Sequence, residues 1–545
     1  MRNPNEHDDK KIVPLPNTPH ARDPVALRLS RRQALKGGMG VTATALLGGL
    51  GLSACGGGGG GGPSVGNYFV TGTGPSSSQT PYMTPIQSGV QFASVLTTGD
   101  VVGSYRMAGT PDGLGAYDNG NGTITVLMNH ELAATLGIQR AHGALGAFVS
   151  EWVVHKDSLV VSSGADLIKS VSTYASNSWT ISTVAFNRFC SADLAPASAY
   201  YNSASGKGSQ ARIFLNGEES GSATVACKGA AHVATGADKG KSYVLPWATM
   251  TNVGWENLLA NPGTGDKTVV MANSDGGFNG VYLYVGSKAT TGNEVEKAGL
   301  VGGTMYRVLV NNALAETTAA DAGLGLVGGA STFTLTTDLT TTSGGTAFLR
   351  PEDGAWDTTN ASRYCFATTN TIDAAKDGNT NPDITAGQVG RTRVWRLTFT
   401  DIMRPQLGGI IETLVDGTET VTVNGRSQGP QMLDNMAMTS NGDLILLEDV
   451  GFNKHNGKIW KFVPGTKALT LLAQHDEVRF GDYVTNVTGT LTKDEESSGV
   501  IDVTSLLGRS DGRSYFLLAV QNHATATGAN AVELREGGQL VLMSY

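Results

Sequence analysis

Residues 123–131 read TITVLMNHE, an apolar run that stops abruptly at Asn129, His130 and Glu131. The outline returns five times, as ARIFLNGEE (211–219), KTVVMANSD (267–275), TAFLRPED (346–353), DLILLEDV (443–450) and YFLLAVQNH (515–523). Short runs of Val, Ile, Phe and Leu between Gly, Asn, Asp and Thr turns are the pattern of an all-β chain. Segments rich in aromatic or long apolar residues follow several of them, at 281–284, 363–366, 457–462 and 538–543. The spacing of run ends varies from 56 residues (219 to 275) to 96 (352 to 448). One such run per four-stranded unit, six times over, predicts a six-bladed β-propeller with long inserted loops and a few short helices. Residues 139–155, carrying Leu145, Phe148, Trp152 and Val153, are the best helix candidate.

Composition agrees with a turn-rich globular protein. The 545 residues include 73 glycines and only four cysteines, and just 16% are charged. Average domains carry about 7% Gly and about 25% charged residues. No Gly-X-Y period exists, so collagen is excluded, and apolar runs recur along the whole length, against bulk disorder. A net charge of −8 argues against nucleic acid as a partner.

That charge is unevenly divided. Residues 1–54 hold eight Lys/Arg against four Asp/Glu, a local +4, so the remainder stands at −12. Ser30-Arg31-Arg32-Gln33-Ala34-Leu35-Lys36 resembles the twin-arginine (Tat) export motif, with Arg31 and Arg32 as its pair. An 18-residue, weakly apolar stretch follows at 37–54, short for a membrane span and suited to a signal peptide. Leu52-Ser53-Ala54-Cys55 matches a bacterial lipobox, which makes Cys55 the lipidated residue, and seven glycines at 56–62 form a flexible tether. The expected layout is a signal peptide at 1–54, a lipidated Cys and tether at 55–66, and a propeller at 67–545. The expected location is periplasmic, membrane-anchored through lipid, or the cell surface. The three remaining cysteines, Cys190, Cys227 and Cys365, leave at least one thiol unpaired.

In a propeller, equivalent strand ends converge on one mouth of the channel. Five of the six runs would bring Glu131, Glu218, Glu219, Asp275, Glu352, Asp353, Glu448 and Asp449 there. Carboxylates so crowded raise one another's pKa unless cations neutralise them, and oxygen-rich sets suit hard cations such as Ca²⁺. Taken singly, each cluster is better explained as a turn, and it is five acidic clusters at corresponding positions that point to metal. Arg350 stands two residues before Glu352, and residues i and i+2 of a strand share a face. An arginine beside metal ligands is a natural partner for a phosphoryl oxyanion. His130 and His523 also sit at strand ends as candidate ligands. Other motifs are weak: 425–429 (GRSQG) fits G-x-S-x-G without a strand-turn-helix setting, and 236–242 (GADKGKS) is two residues short of a P-loop.

A twin-arginine signal, the NHE strand end, Cys190-Ser191 before Glu218-Glu219, Arg350-Pro351-Glu352-Asp353 and a late LLED…HNGKIW segment together resemble the PhoX family of exported alkaline phosphatases. The resemblance covers roughly residues 90–545. It implies a six-bladed propeller using iron and calcium to hydrolyse small phosphorylated substrates. By motif match, Cys190 would ligate iron, Glu219 and Glu352 would ligate metal at the catalytic centre, and Arg350 would hold the phosphate. Glu131, Asp434, Asn435, Glu448 and Asp449 would belong to the calcium and supporting set. Some relatives carry a Trp-rich stretch before the Glu-Glu pair, where this chain has Ala211-Arg212-Ile213-Phe214-Leu215. The implied partners are the Tat translocase during export and a membrane only through the lipid anchor, with the protein otherwise a monomer. Two further readings stay open: a non-catalytic calcium-binding propeller with a binding role, and a calcium-only, phytase-like hydrolase.

Overall fold

The computed structural model describes residues 71–317, 324, 329–372, 392–451, 453, 455–481 and 488–545. Arg31, Arg32, Cys55 and the glycine tether lie outside them. The described chain is almost wholly β, and its α- and 3-10 helices are each three or four residues long. No described helix is long and apolar enough to cross a membrane.

Six antiparallel blades are strung along the chain. Blade 1 comprises Pro111–Asp118, Thr123–His130, Phe148–His155 and Val161–Asp166. Blade 2 comprises Phe189–Asp193, Ile213–Glu218, Cys227–Val233 and Lys241–Met250, with the hairpin Ser170–Ala175/Ser178–Ser182 on its outer edge. Blade 3 runs Val253–Ala260, Lys267–Gly277, Val281–Ser287, Thr304–Val310. Blade 4 runs Pro351–Trp356, Arg363–Thr368, Arg393–Phe399, Gly409–Val415. Strand Ala330–Thr336 bridges the outer edges of these two into one nine-stranded sheet. Blade 5 is Leu433–Met438, Leu444–Glu448, Lys458–Val463 and Ala468–His475.

Blade 6 closes the ring. Its first three strands, Glu495–Asp502, Tyr515–Asn522 and Gly537–Ser544, come from the C-terminal end, and its fourth, Gln91–Thr97, comes from before blade 1. The first strand of every blade packs against the first strands of both neighbours, from blade 1 through blade 6 and back. The chain is therefore a closed six-bladed propeller, with those six strands lining the channel. Closure leaves few free edges to template aggregation.

Apolar residues that alternate along the strands fill the spaces between blades. Trp152, Trp395 and Trp460, on the third strands of blades 1, 4 and 5, are fully buried, and each indole N–H finds an oxygen. Burying about 150–250 Å² apiece, they contribute strongly to the inter-blade core.

Two local expectations change. Residues 139–155 form no helix: positive φ at Gly143 (+89°) and Gly146 (+95°) breaks the first half, and the β-branched second half is the strand Phe148–His155. The fourth apolar run, 346–353, is not a second strand like the other five. Pro351, Glu352 and Asp353 begin the inner strand of blade 4, and the second strand is Arg363–Thr368.

Candidate metal centre

The mouth is built by a backbone device that recurs around the ring. Five inner strands are entered through a non-glycine residue with left-handed φ: Thr110, Arg188, Asn252, Arg350 and Met432, between +43° and +62°. The carbonyl of each accepts a hydrogen bond from a residue just past the second strand, at Glu131, Glu219, Phe278, Thr369 and Asp449. Immediately afterwards the inner strand slips register against the second strand, and blade 6 slips as well. Such bulges turn extra side chains out of the ladder. Here they free Asp112-Gly113, Cys190-Ser191, Glu256, Glu352-Asp353, Asp434-Asn435 and Ser498-Gly499. Left-handed non-glycine residues cost about 1–3 kcal/mol each, and such strain concentrates at functional sites.

The freed residues meet. Asp112, Glu131 and Cys190 place ligand atoms within 4.8 Å of one another, as do Cys190, Glu219 and Glu256, and Glu256, Glu352 and Asp434. Shared members join the three groups into one arc across blades 1 to 5. The Cys190 thiol donates to Glu219 Oε2 at 2.9 Å. Cys190, Cys227 and Cys365 are all buried free thiols.

Two arginines brace the arc in the same way. Arg188 donates from Nε to Glu131 Oε1 and from Nη2 to Glu219 Oε2, both at 2.6 Å. Arg350 donates from Nε and Nη2 to Asp275, at 2.9–3.2 Å, and its Nη2 lies 3.0 Å from Glu352 Oε1. Each therefore links a carboxylate at or near the end of the preceding blade's second strand to one of its own blade. Arg350 reaches Glu352 from its left-handed position before the strand, not from a shared strand face.

Other candidates lie apart from the arc. Glu218 accepts from the Asn187 and Lys228 backbone N–H and from Lys228 Nζ. Glu448, at the equivalent position, accepts from Gln431 and Lys458 N–H, His455 Nε2 and Trp460 Nε1. Both carboxylates tie the inter-blade crossover to the third strand. Asp353 accepts from Asn257 Nδ2, Gly354 N and Met436 N, and burial pushes its carboxyl up to about 7. Asn435 donates to Ser191 Oγ at 2.6 Å, tying the inner strands of blades 5 and 2. Asp449 is bridged to Glu496 through the backbone, and its Oδ1 accepts from Gly451 N. His130, held between Gly109 O and Ser150 Oγ and lowered to about 3 by burial, is a neutral structural residue. His523 contacts Glu536 at 2.7 Å and Glu496 at 3.6 Å; burial would lower its pKa, but those carboxylates hold it well above the ordinary imidazole value. The GRSQG stretch is a turn glycine, Gly425, followed by the returning strand Arg426–Gln428 of a small hairpin with Val421–Val423, and GADKGKS is the turn into Lys241–Met250.

Asp112, Arg188 and Glu496 escape a search for strand ends because they stand at strand beginnings, and Glu256 because it stands mid-strand. The recurring Pro-acid pair, Pro111-Asp112 and Pro351-Glu352, is the signal that could have found the inner strands.

The arc has the electrostatics of a cation site. Burial, then mutual repulsion, pushes Asp112, Glu256 and Asp434 well above the usual carboxylate range. Burial pushes the Cys190 thiol up, and Glu131, Glu219 and Glu256 push it further. Glu131 is the exception: burial opposes ionisation, but Arg188, helped by Gln521, outweighs it and holds the group near 2. Asp434 Oδ1 is buried with no hydrogen-bond partner among the described residues. Buried polar atoms without partners are rare, and a cation would satisfy this one. Six carboxylates and one thiol fit metal ions, the oxygens matching hard cations and the sulfur a transition metal.

Fold and site together define a class: a six-bladed propeller whose channel mouth gathers carboxylates and a thiol into one buried cluster. No protein-family model matches the chain. No curated protein matches it either. Among solved structures it is similar to Pseudomonas fluorescens PhoX in complex with vanadate, a transition state analogue, at 11% identity and a TM-score of 0.49, covering 87% of this chain and 98% of that one. It is also similar to the Fusarium graminearum GH93 α-L-arabinofuranosidase with arabinobiose (9%, TM-score 0.36, 79% and 92% covered). A third is the Trypanosoma rangeli sialidase with sialic acid (10%, TM-score 0.34), which spans 84% of this chain and 59% of its own.

Proposed function

We propose that this protein is an exported, metal-dependent phosphatase that hydrolyses small phosphate esters at the channel mouth. The observation that carries this reading is Arg350. Its guanidinium is fixed by Asp275 and Glu352 at the edge of the Glu256–Glu352–Asp434 group, so an anion clamp and metal ligands share one carboxylate. The motif order around Cys190, Glu218-Glu219 and Arg350-Pro351-Glu352 adds support.

Asp112, Glu131, Cys190, Glu219, Glu256, Glu352 and Asp434 would hold the cations, iron at the Cys190 end with calcium elsewhere. Bound metal would supply Lewis-acid stabilisation of phosphoryl charge and a hydroxide-like nucleophile at neutral pH. The chain's own part is orientation. Arg350 would offer a phosphoryl oxygen the Nη1 side of its guanidinium, because Asp275 and Glu352 already fix Nε and Nη2 before substrate arrives. Asn435 and Ser191 hold the inner strands of blades 5 and 2 in register across the channel. No serine nucleophile is needed. Export by Tat, which carries folded proteins, would let iron load before the oxidising compartment is reached. The Cys55 anchor would then hold the propeller at a membrane.

In metal-replete protein, Arg350→Gln should lower kcat/KM for p-nitrophenyl phosphate about a hundredfold, the scale of one lost transition-state donor. Arg350→Lys should be intermediate, because it keeps charge and loses the fork. Metal content, measured alongside, should stay the same. Unchanged kinetics in Arg350→Gln would contradict the assignment.

A further inference from the structure

Arg188 and Arg350 occupy repeat-equivalent positions in blades 2 and 4. Both are left-handed, at +55° and +62°, and both directly precede an inner strand. Each carbonyl accepts from the residue that follows the second strand, Glu219 N or Thr369 N. Both guanidinium groups join a carboxylate at or near the end of the preceding blade's second strand to one of their own blade, Glu131 with Glu219 and Asp275 with Glu352. Glu219 and Glu352 each have a ligand atom within 4.8 Å of one on Glu256, so a single side chain links the two arginine systems. Their side chains keep similar access to the mouth, 21% and 17% exposed.

An inter-blade staple alone does not need this construction. Glu218 and Glu448 already tie the crossovers of blades 2 and 5 from ordinary strand conformations. The other left-handed entries at Thr110, Asn252 and Met432 carry no charge, so the backbone device does not require arginine. Where cations take up Glu131, Glu219 and Glu352, Asp275 still holds Arg350, but the carboxylates shared with metal no longer offset either guanidinium in full, and each keeps charge to offer an incoming anion. A single phosphoryl group is satisfied by one bidentate fork. Two forks flanking Glu256 suit a ligand with two anionic groups.

We propose that Arg188 is a second anion-holding residue and that, with Arg350, it selects substrates bearing a second anionic group beside the phosphoryl group under attack, as in phosphoanhydrides and bisphosphates. This rests on the phosphatase reading and deepens it.

The test uses full-length, metal-replete protein and calorimetric binding of two non-reacting probes, inorganic phosphate and methylenediphosphonate, with metal content measured for every variant. Wild type should bind the diphosphonate at least tenfold more tightly than phosphate. Arg188→Gln should bring that ratio close to one, Arg188→Lys should keep part of it, and Arg350→Gln should weaken both ligands. A staple would not move the ratio, so a wild-type ratio in Arg188→Gln, with metal retained, overturns the proposal and leaves the phosphatase reading standing. A wild-type ratio near one would also overturn it. Should neither probe bind wild type, both readings fall together.

Discussion

Glu218 and Glu219 are neighbours in sequence with opposite roles. A strand sends successive side chains to opposite faces, so Glu218 turns into the crossover and Glu219 into the mouth. Glu448 repeats the role of Glu218, while Asp449 accepts from Gly451 N and stays apart from the arc. The sequence marks both members of each pair as acidic and offers no way to tell them apart without the register. The same limit applied to Glu352 and Asp353, which part company at a bulge. The difference is measurable. Glu448→Ala strands four buried donors and should cost about 3–5 kcal/mol of stability in denaturant titration, the scale of breaking a buried charged network. Glu352→Gln should leave metal-free stability within about 1 kcal/mol, because it relieves repulsion as it weakens one ion pair, and should lower bound metal. The reverse pattern would exchange their roles.

At the scale of elements, second strands were legible and inner strands were not. TITVLMNHE and YFLLAVQNH bury both faces, so they read as continuous apolar runs with a sharp polar stop. Inner strands such as PDGLGAYD and VGWENLLA interrupt their apolar residues with an acid, carry a bulge and include glycines that let blades approach. A Cβ at Gly113 would stand 2.4 Å from the Ala192 backbone N, which explains a glycine there and removes the expected β pattern. The inner strands are also tied laterally: Asp193 of blade 2 accepts from Ala260 N of blade 3 at 2.9 Å. Burial pushes Asp193 up to about 7 from the ordinary carboxylate value. A carboxyl with a raised folded-state pKa binds its proton more tightly folded than unfolded. Its contribution is therefore complete at low pH and declines as pH rises from about 4 through about 7. In metal-replete protein, Asp193→Asn should show a shallower fall in Tm between pH 4 and 8 than wild type. Equal slopes would mean that this carboxyl does not titrate as described.

Across the whole molecule, the six-fold repeat was readable because strand composition recurs, and the closing strand was not. Gln91–Thr97 belongs to blade 6 although more than 400 residues separate it from its neighbour Gly537–Ser544. Nothing local in QFASVLT announces that partner. Joining a strand from before blade 1 to strands from after blade 5 makes ring closure cooperative. A variant lacking residues 91–97 would leave Gly537–Ser544 as an exposed apolar edge, and it should lose its single cooperative unfolding transition and aggregate. Retention of a wild-type transition would show that the other blades hold the ring without it. The ring is also what gathers the site, because ligands from five blades, separated by up to about 320 residues (Asp112 to Asp434), meet only when all the inner strands stand side by side.

The most direct test of the central claim is elemental analysis of natively exported protein, paired with hydrolysis of p-nitrophenyl phosphate before and after chelation. The expected result is bound iron and calcium, with hydrolysis that disappears on chelation and returns when both metals are restored. Protein that is free of metal, or that holds metal and releases no phosphate, would contradict it.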